Sequence, residues 1–258
     1  MSAPTAPFLS VVIPVFRAEC LPALYQRLVK AVGTVSDDFE IVMVNDASPD
    51  QAWEAITSLS RSDARVRGID LELNVGQHVA ILAGLDHARG QWVVVTDCDL
   101  QDRPEEIPRL YQEAARGFDI VLARRAVRRH PALRRLGSKA FYAVLGLVTG
   151  IRQDPAVANF GIYRRSAVEA MLAIRERYYF PLIVRSVPFR ATSIDVEHGA
   201  SESGQSSYNL AKMLKLAVTT IRANWRGPHA ALASTSAART SYRVRETSGS
   251  SRRLTDAK

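Results

Sequence analysis

Cysteine is almost missing from this 258-residue sequence, which holds only Cys20 and Cys98. Two thiols build no disulfide scaffold and their spacing makes no zinc pattern, so a reducing, cytosolic setting is expected. Long apolar runs are missing as well. A membrane-spanning helix needs about 20 mostly apolar residues. The best stretch, residues 140–151, is shorter than that and is closed by Lys139 and Arg152. No basic start followed by an apolar core opens the chain, so no signal peptide is expected. The five histidines, His78, His87, His130, His198 and His229, stand at no zinc-ligand spacing, and none flanks a Ser or Cys in a nucleophile motif. No internal repeat of about 20–50 residues is visible, which excludes a solenoid or a propeller. What is present is ordinary: 47% hydrophobic and 23% charged residues, the balance of a soluble globular chain long enough for one domain or a domain with a tail.

Charge is unevenly placed. The net charge is +8, and from Arg226 onward seven basic residues stand against Glu246 and Asp256, so that the tail holds +5 of it. Acids are absent between Ile120 and Gln153, where Arg124, Arg125, Arg128, Arg129, Arg134, Arg135, Lys139 and Arg152 all fall. Such a cluster attracts phosphates of nucleotides, nucleic acid or lipid head groups, although a solvated surface explains a charge run too. No aromatic stacking platform or recognition helix accompanies it, so nucleic acid is not an expected partner.

The first half alternates short apolar runs with amphipathic stretches, the pattern of βα units on a mostly parallel sheet. Strands are expected at 9–16, 40–44, 66–71, 91–96 and 119–123, and helices at 21–32, 51–59, 77–88 and from Pro104, where proline is tolerated. The second half is less regular: helices are expected at 133–149 and 207–221, strands at 159–163 and 191–196. From Arg226 onward apolar periodicity disappears, and residues 226–258 are expected to be a basic, disordered tail behind a 1–225 domain. Both late helices place apolar residues on one face beside basic ones, which suggests reversible docking on an anionic membrane surface, though packing on the domain explains them equally.

In open parallel sheets ligands bind beyond the carboxyl ends of the strands. The second strand ends in Asn45-Asp46, and the fourth in Asp97-Cys98-Asp99-Leu100-Gln101-Asp102. Two carboxylates one residue apart suit a hard divalent cation that keeps some waters and is shared with substrate phosphates, although Asp also favours turns. Gly76, in Asn74-Val75-Gly76-Gln77, allows a tight turn into a helix. Arg124 and Arg125 end the fifth strand, and a guanidinium pairs bidentately with phosphate.

Together the runs VVIPVFRAE, VNDASPD, LNVGQHVAILAGLDHARGQWVVVTDCDLQDRPEEIPRL and GQSSYNLAKMLKLA resemble the family 2 nucleotide-sugar glycosyltransferases. The likeness is to the dolichyl-phosphate-mannose-synthase-like group that loads sugars onto polyprenyl phosphates, and it covers roughly residues 9–222. It implies a Rossmann-like glycosyltransferase A-type fold, with a nucleotide-binding half at 8–123 and an acceptor-side half at 124–225. It also implies a nucleotide-sugar donor, Mg2+ or Mn2+, and an inverting transfer at the inner face of a membrane. By position, Pro14, Val15 and Phe16 match residues lining the base and ribose pocket, and Asp46 matches the acid that contacts the base. Gly76 falls in a nucleotide-side loop. Asp97 and Asp99 match the metal-binding pair, Cys98 lies between them with its side chain inward or only its backbone offered, and Gln101 matches a glutamine that completes the metal's ligands. Arg124 and Asp154 match acceptor-side positions, with a turn before Pro155 an equal reading of Asp154.

One position departs from the family: Ser201 stands where an arginine often precedes Gly204-Gln205-Ser206-Ser207-Tyr208, leaving Arg124, Arg185 or Arg190 as substitutes. That departure also motivates a non-catalytic nucleotide-sugar-binding reading. A hydroxyl acceptor needs a general base, and no Glu-Asp motif supplies one, whereas a phosphate is already anionic. Polyprenyl phosphate is therefore the expected acceptor, with a glycan in surface polysaccharide assembly the alternative that Asp154 keeps open.

Overall fold

The computed structural model describes residues 6–17, 20–125, 157–175, 180–197, 199 and 242–249. Among them runs β1 (Leu9–Val15), α1 (Leu21–Gly33), β2 (Phe39–Asn45), α2 (Ala52–Ser62), β3 (Val66–Leu71), α3 (Gln77–His87) and β4 (Trp92–Val95). A 3-10 turn (Pro104–Glu106) then leads into α4 (Ile107–Ala114), followed by β5 (Ile120–Arg125), β6 (Val157–Arg164), α5 (Arg165–Ala173), α6 (Phe180–Ser186), β7 (Ala191–Val196) and β8 (Val244–Ser248). The helices α5 and α6 and the strand β8 were not legible as periodic patterns; the other elements fall within a few residues of the expected bounds.

The described strands form one sheet in the order β7-β5-β6-β4-β1-β2-β3-β8. Six run in one direction, while β6 and β8 pair antiparallel with their neighbours. The expected α/β class with a mostly parallel sheet is what the chain adopts. Every residue of β1 and β2 is buried because helices cover both faces. The side-chain period of two divides the core. Leu9, Val11 and Ile13 face α1, α2 and α4 with Leu24, Leu28, Ile56 and Leu110. Val12, Val42 and Val44 face α3, α5 and α6 with Ile81, Leu85, Met171 and Ile183. Each such side chain contributes about 1.5–3 kcal/mol on burial.

The strand order reverses about β1, which lies between β4 and β2. Here the chain opens a crevice for a chemical reason. The Val12 carbonyl accepts the Thr96 N–H, so position 14, two residues on, faces β4 as well. Pro14 has no N–H to give, and the β1–β4 ladder ends at Val12 and Val95, whereas the β1–β2 ladder continues to Val15 and Asn45.

At the opposite, amino end of the sheet a buried carboxylate ties four segments together. Glu40, 2% exposed, accepts hydrogen bonds from the Ser10 hydroxyl, the Arg89 N–H and the guanidinium groups of Arg67 and Arg89. Burial alone would raise its carboxyl, but the Arg89, Ser10 and Arg67 partners outweigh burial and hold it below the usual glutamate value.

The expectation of a disordered tail is corrected at β8, which lies within residues 226–258. It pairs antiparallel with β3, whose N–H and C=O groups would otherwise form an open edge. Arg245 reaches the buried Asp70 at 3.2 Å and the Glu72 carbonyl at 3.1 Å, and the Trp53 indole N–H donates to Glu246 at 3.3 Å. These main-chain and polar contacts need no apolar periodicity, which is why composition concealed them. Ending the chain after residue 241 should therefore lower the melting temperature by several degrees; an unchanged value would show that β8 adds nothing. The segments 133–149 and 207–221, with the membrane-docking expectation that rests on them, lie outside the described residues. Among the described residues no helix is long and apolar enough to cross a membrane.

Candidate functional site

The loops that leave β1, β2, β3 and β4 meet at the carboxyl end of the sheet, beside the crevice at Pro14. Among the described residues, three other than glycine have positive φ: Arg17 at 54°, Ala47 at 47° and Leu100 at 61°. All three lie on loops that follow β1, β2 and β4. A side chain held in that region costs on the order of 1–3 kcal/mol, and such strain gathers at sites where loop geometry is fixed.

Asp46 follows β2 directly and is 3% exposed. Its N–H donates to the Val15 carbonyl at 2.9 Å, which continues the β1–β2 ladder. Its carboxylate accepts the N–H groups of Val75 at 2.7 Å and Gly76 at 2.9 Å, and its carbonyl accepts the Asn74 side-chain amide at 3.1 Å. Burial pushes its carboxyl upward, and the two N–H groups offset only part of that. The acid expected to meet a nucleotide base thus also fastens the β3–α3 loop. Gly76 has φ of 85°, a conformation that glycine adopts without strain, and it leads into α3 at Gln77.

Asp97 and Asp99 leave the end of β4. The Gln77 side-chain amide donates to Asp97 Oδ1 at 2.5 Å, and the Asp97 N–H donates to Asp102 Oδ2 at 3.3 Å. Asp99 is exposed and accepts the Gln101 N–H at 3.0 Å. Burial raises the Asp97 carboxyl above its usual value, the charges of Asp102 and Asp99 add to the rise, and Arg125 and Gln77 oppose it. Burial likewise raises Asp102, with Arg125 opposing it. Three carboxyl groups crowded on one loop create the negative potential that a divalent cation relieves, and their donors are the hard oxygens that Mg2+ or Mn2+ takes. Among the described residues no group of three or more His, Cys, Asp or Glu side chains is disposed to hold a metal ion unaided. An ion at Asp97 and Asp99 would need further ligands, which phosphates and water can supply.

The other expected residues divide. Phe16 stands 42% exposed at the crevice, but Val15 is fully buried in the core and Pro14 is buried in β1, so neither offers an open side chain. Cys98 packs against the core, burial pushes its thiol up to about 12, and its carbonyl accepts the Cys20 thiol at 2.8 Å. Arg124 is engaged bidentately by Asp195 of β7, at 2.6 and 3.0 Å. Its neighbour Arg125 faces the acids instead, 3.9 Å from Asp102, with Nε buried and without a hydrogen-bond acceptor among the described residues. Arg190 lies at the amino end of β5, where its backbone N–H donates to Asp119, and is thus far from this crevice in the fold. Asp154, Ser201 and residues 204–208 lie outside the described residues. Sequence reasoning missed Gln77 and Asp102. Both sit inside the quoted runs, but spacing alone does not say that they turn toward Asp97.

Residues 10–172 match the model of the family described as glycosyl transferase family 2. The undecaprenyl-phosphate 4-deoxy-4-formamido-L-arabinose transferase of Pseudomonas paraeruginosa is 40% identical over 210 residues, 80% of this chain and 62% of that one. The enzyme of the same name from Shewanella sediminis is 36% identical over 212 residues, 81% of this chain and 64% of that one. The chain therefore spans under two thirds of the length of these relatives. Among solved structures, glucosyl-3-phosphoglycerate synthase from Mycobacterium tuberculosis with Mn2+, UDP and glucosyl-3-phosphoglycerate superposes with a TM-score of 0.54 at 16% identity, covering 84% of this chain and 78% of that one. The same enzyme with Mg2+ and UDP gives 0.55 at 14% identity, with 84% and 78% covered. The fold is that of the A-type glycosyltransferases.

Proposed function

The chain belongs to glycosyltransferase family 2, and on that premise we propose that it moves a sugar from a nucleotide donor to a polyprenyl phosphate with inversion at the anomeric carbon. The observation that carries the acceptor class is the 40% identity to a relative named undecaprenyl-phosphate 4-deoxy-4-formamido-L-arabinose transferase. The crevice supports the donor side. Phe16 offers an exposed ring at its mouth, Asp46 holds the loop at 74–76 beside it, and Asp97 and Asp99 project at the β4 tip.

In the proposed reaction an oxygen of the acceptor phosphate attacks the anomeric carbon. The bond from that carbon to the donor diphosphate breaks, and the nucleoside diphosphate leaves with the bonding electrons. No base is needed, because the acceptor is anionic near neutral pH. Asp97, Asp99 and Gln101 would hold the Mg2+ or Mn2+ ion, which when bound neutralises the charge growing on the departing diphosphate. Arg125, whose Nε meets no acceptor among the described residues, turns a second cation toward the same loop. A lipid-linked acceptor is met at a membrane surface, where the acid-free stretch from 120 to 153 would favour anionic head groups.

Calorimetric titration with UDP, with and without Mn2+, tests the donor half of this reading. Binding should strengthen about tenfold or more when the ion is present. Equal affinity in both conditions would contradict it.

A further inference from the structure

Gln77 has no part in the chemistry above, yet it touches the group on which that chemistry depends. Its amide donates to Asp97 Oδ1 from the first turn of α3. That turn is fixed from two directions. Upstream, Asp46 grips the N–H groups of Val75 and Gly76, so the loop entering the helix cannot drift from the β2 tip. Downstream, α3 lies directly on the sheet at Gly84, where an added Cβ would come within 2.3 Å of Val12 Cγ1 and 3.1 Å of Val44 Cγ2. The helix is thus seated on β1 and β2, and its first side chain arrives at the β4 tip at a set height.

Asp97 is held from its other side as well, since its N–H is given to Asp102 Oδ2. With the backbone fixed by Asp102 and Oδ1 engaged by Gln77, the rotation of the carboxylate is settled and its second oxygen is aimed. The choice of an amide matters. A lysine or arginine would hold the carboxylate equally well but would bring a positive charge to compete with a divalent ion. Glutamine orients without competing.

We propose that Gln77 is a positioning residue that presents Asp97 to the divalent ion shared with the donor diphosphate, and so couples the nucleotide-side loop at Asp46 to the metal-side acids. The proposal rests on the metal-dependent reading given above. Its consequence is specific: metal-supported nucleotide binding depends on the Gln77 amide, whereas nucleotide binding without metal does not.

The test is UDP affinity measured calorimetrically with and without Mn2+, for the full chain and for Gln77→Met and Gln77→Ala. Methionine keeps the length and bulk of the side chain and removes the donor. Both variants should lose about 10–100-fold of the Mn2+-supported affinity, with metal-free affinity and melting temperature at the parent values. Parent-like Mn2+-supported affinity in Gln77→Met would overturn the proposal, because filling the space would then suffice. A proportional loss of metal-free affinity would also overturn it, by assigning Gln77 to the nucleotide loop alone. If the parent chain itself binds UDP no better with Mn2+, the metal-dependent reading fails first, and this one falls with it.

Discussion

Asp99→Asn is expected to reduce turnover by about a hundredfold or more while leaving the fold intact. Asp99 is exposed on the loop past β4, and its Oδ1 accepts the Gln101 N–H. An asparagine keeps that acceptor, so the turn at Leu100, with φ of 61°, retains its support. What is lost is one negative charge beside Asp97, in the place where a cation and a diphosphate are to be neutralised together. Metal-supported nucleotide affinity should fall with turnover, and the melting temperature should not move. Unchanged turnover in this variant would remove Asp99 from the metal site.

Glu40→Gln is expected to have the largest effect on stability, a loss of about 2–3 kcal/mol in urea unfolding, because it leaves the guanidinium groups of Arg67 and the half-exposed Arg89 facing a neutral amide on a buried side chain. Five donors converge on the carboxylate, and glutamine can accept through one oxygen only. The pH dependence has a definite sign. The folded carboxyl is held below its ordinary value, so the stabilisation is complete above the unfolded glutamate value of about 4.3 and is lost as pH falls through the lower folded value. The difference between the parent and Glu40→Gln should therefore shrink as the pH is taken from 7 toward 3. A difference that stays constant over that range would contradict the ionised network. Metal-supported nucleotide binding by the folded variant should be unaffected, since Glu40 lies near the start of β2 and Asp46 follows its other end.

Much of this architecture is written locally. The run at 9–16 reads as a strand covered on both faces, and the seven residues of β1 within it are all buried. Residues 77–88 read as a helix, which the structure places at 77–87, and Gly76 supplies the positive φ that its entry requires. The acids at 97 and 99 could be placed at a strand tip because β4 ends just before them. Partnership across the sheet is a different matter. Arg124 and Arg125 are equal in sequence, but successive residues of a strand face opposite ways, so one meets Asp195 and the other turns toward Asp102. Val15 looks like a neighbour of Phe16, but the same alternation sends it into the core. Strand β8 was illegible because its stabilisation comes from the β3 edge and from Asp70, more than 170 residues away along the chain. Gln77 was overlooked for the same reason, since its partner arrives from another strand.

The most direct test of the central claim is transfer itself. The full chain is incubated with a short polyprenyl phosphate and a panel of radiolabelled UDP-, GDP- and dTDP-sugars, with Mg2+ or Mn2+ present or removed by chelator. The account predicts that label from one of these donors enters the lipid phase as a sugar phosphate of inverted anomeric configuration, with release of the nucleoside diphosphate and only when the metal is present. Retention of configuration, transfer undiminished by the chelator, or no lipid-phase label from any donor would contradict it.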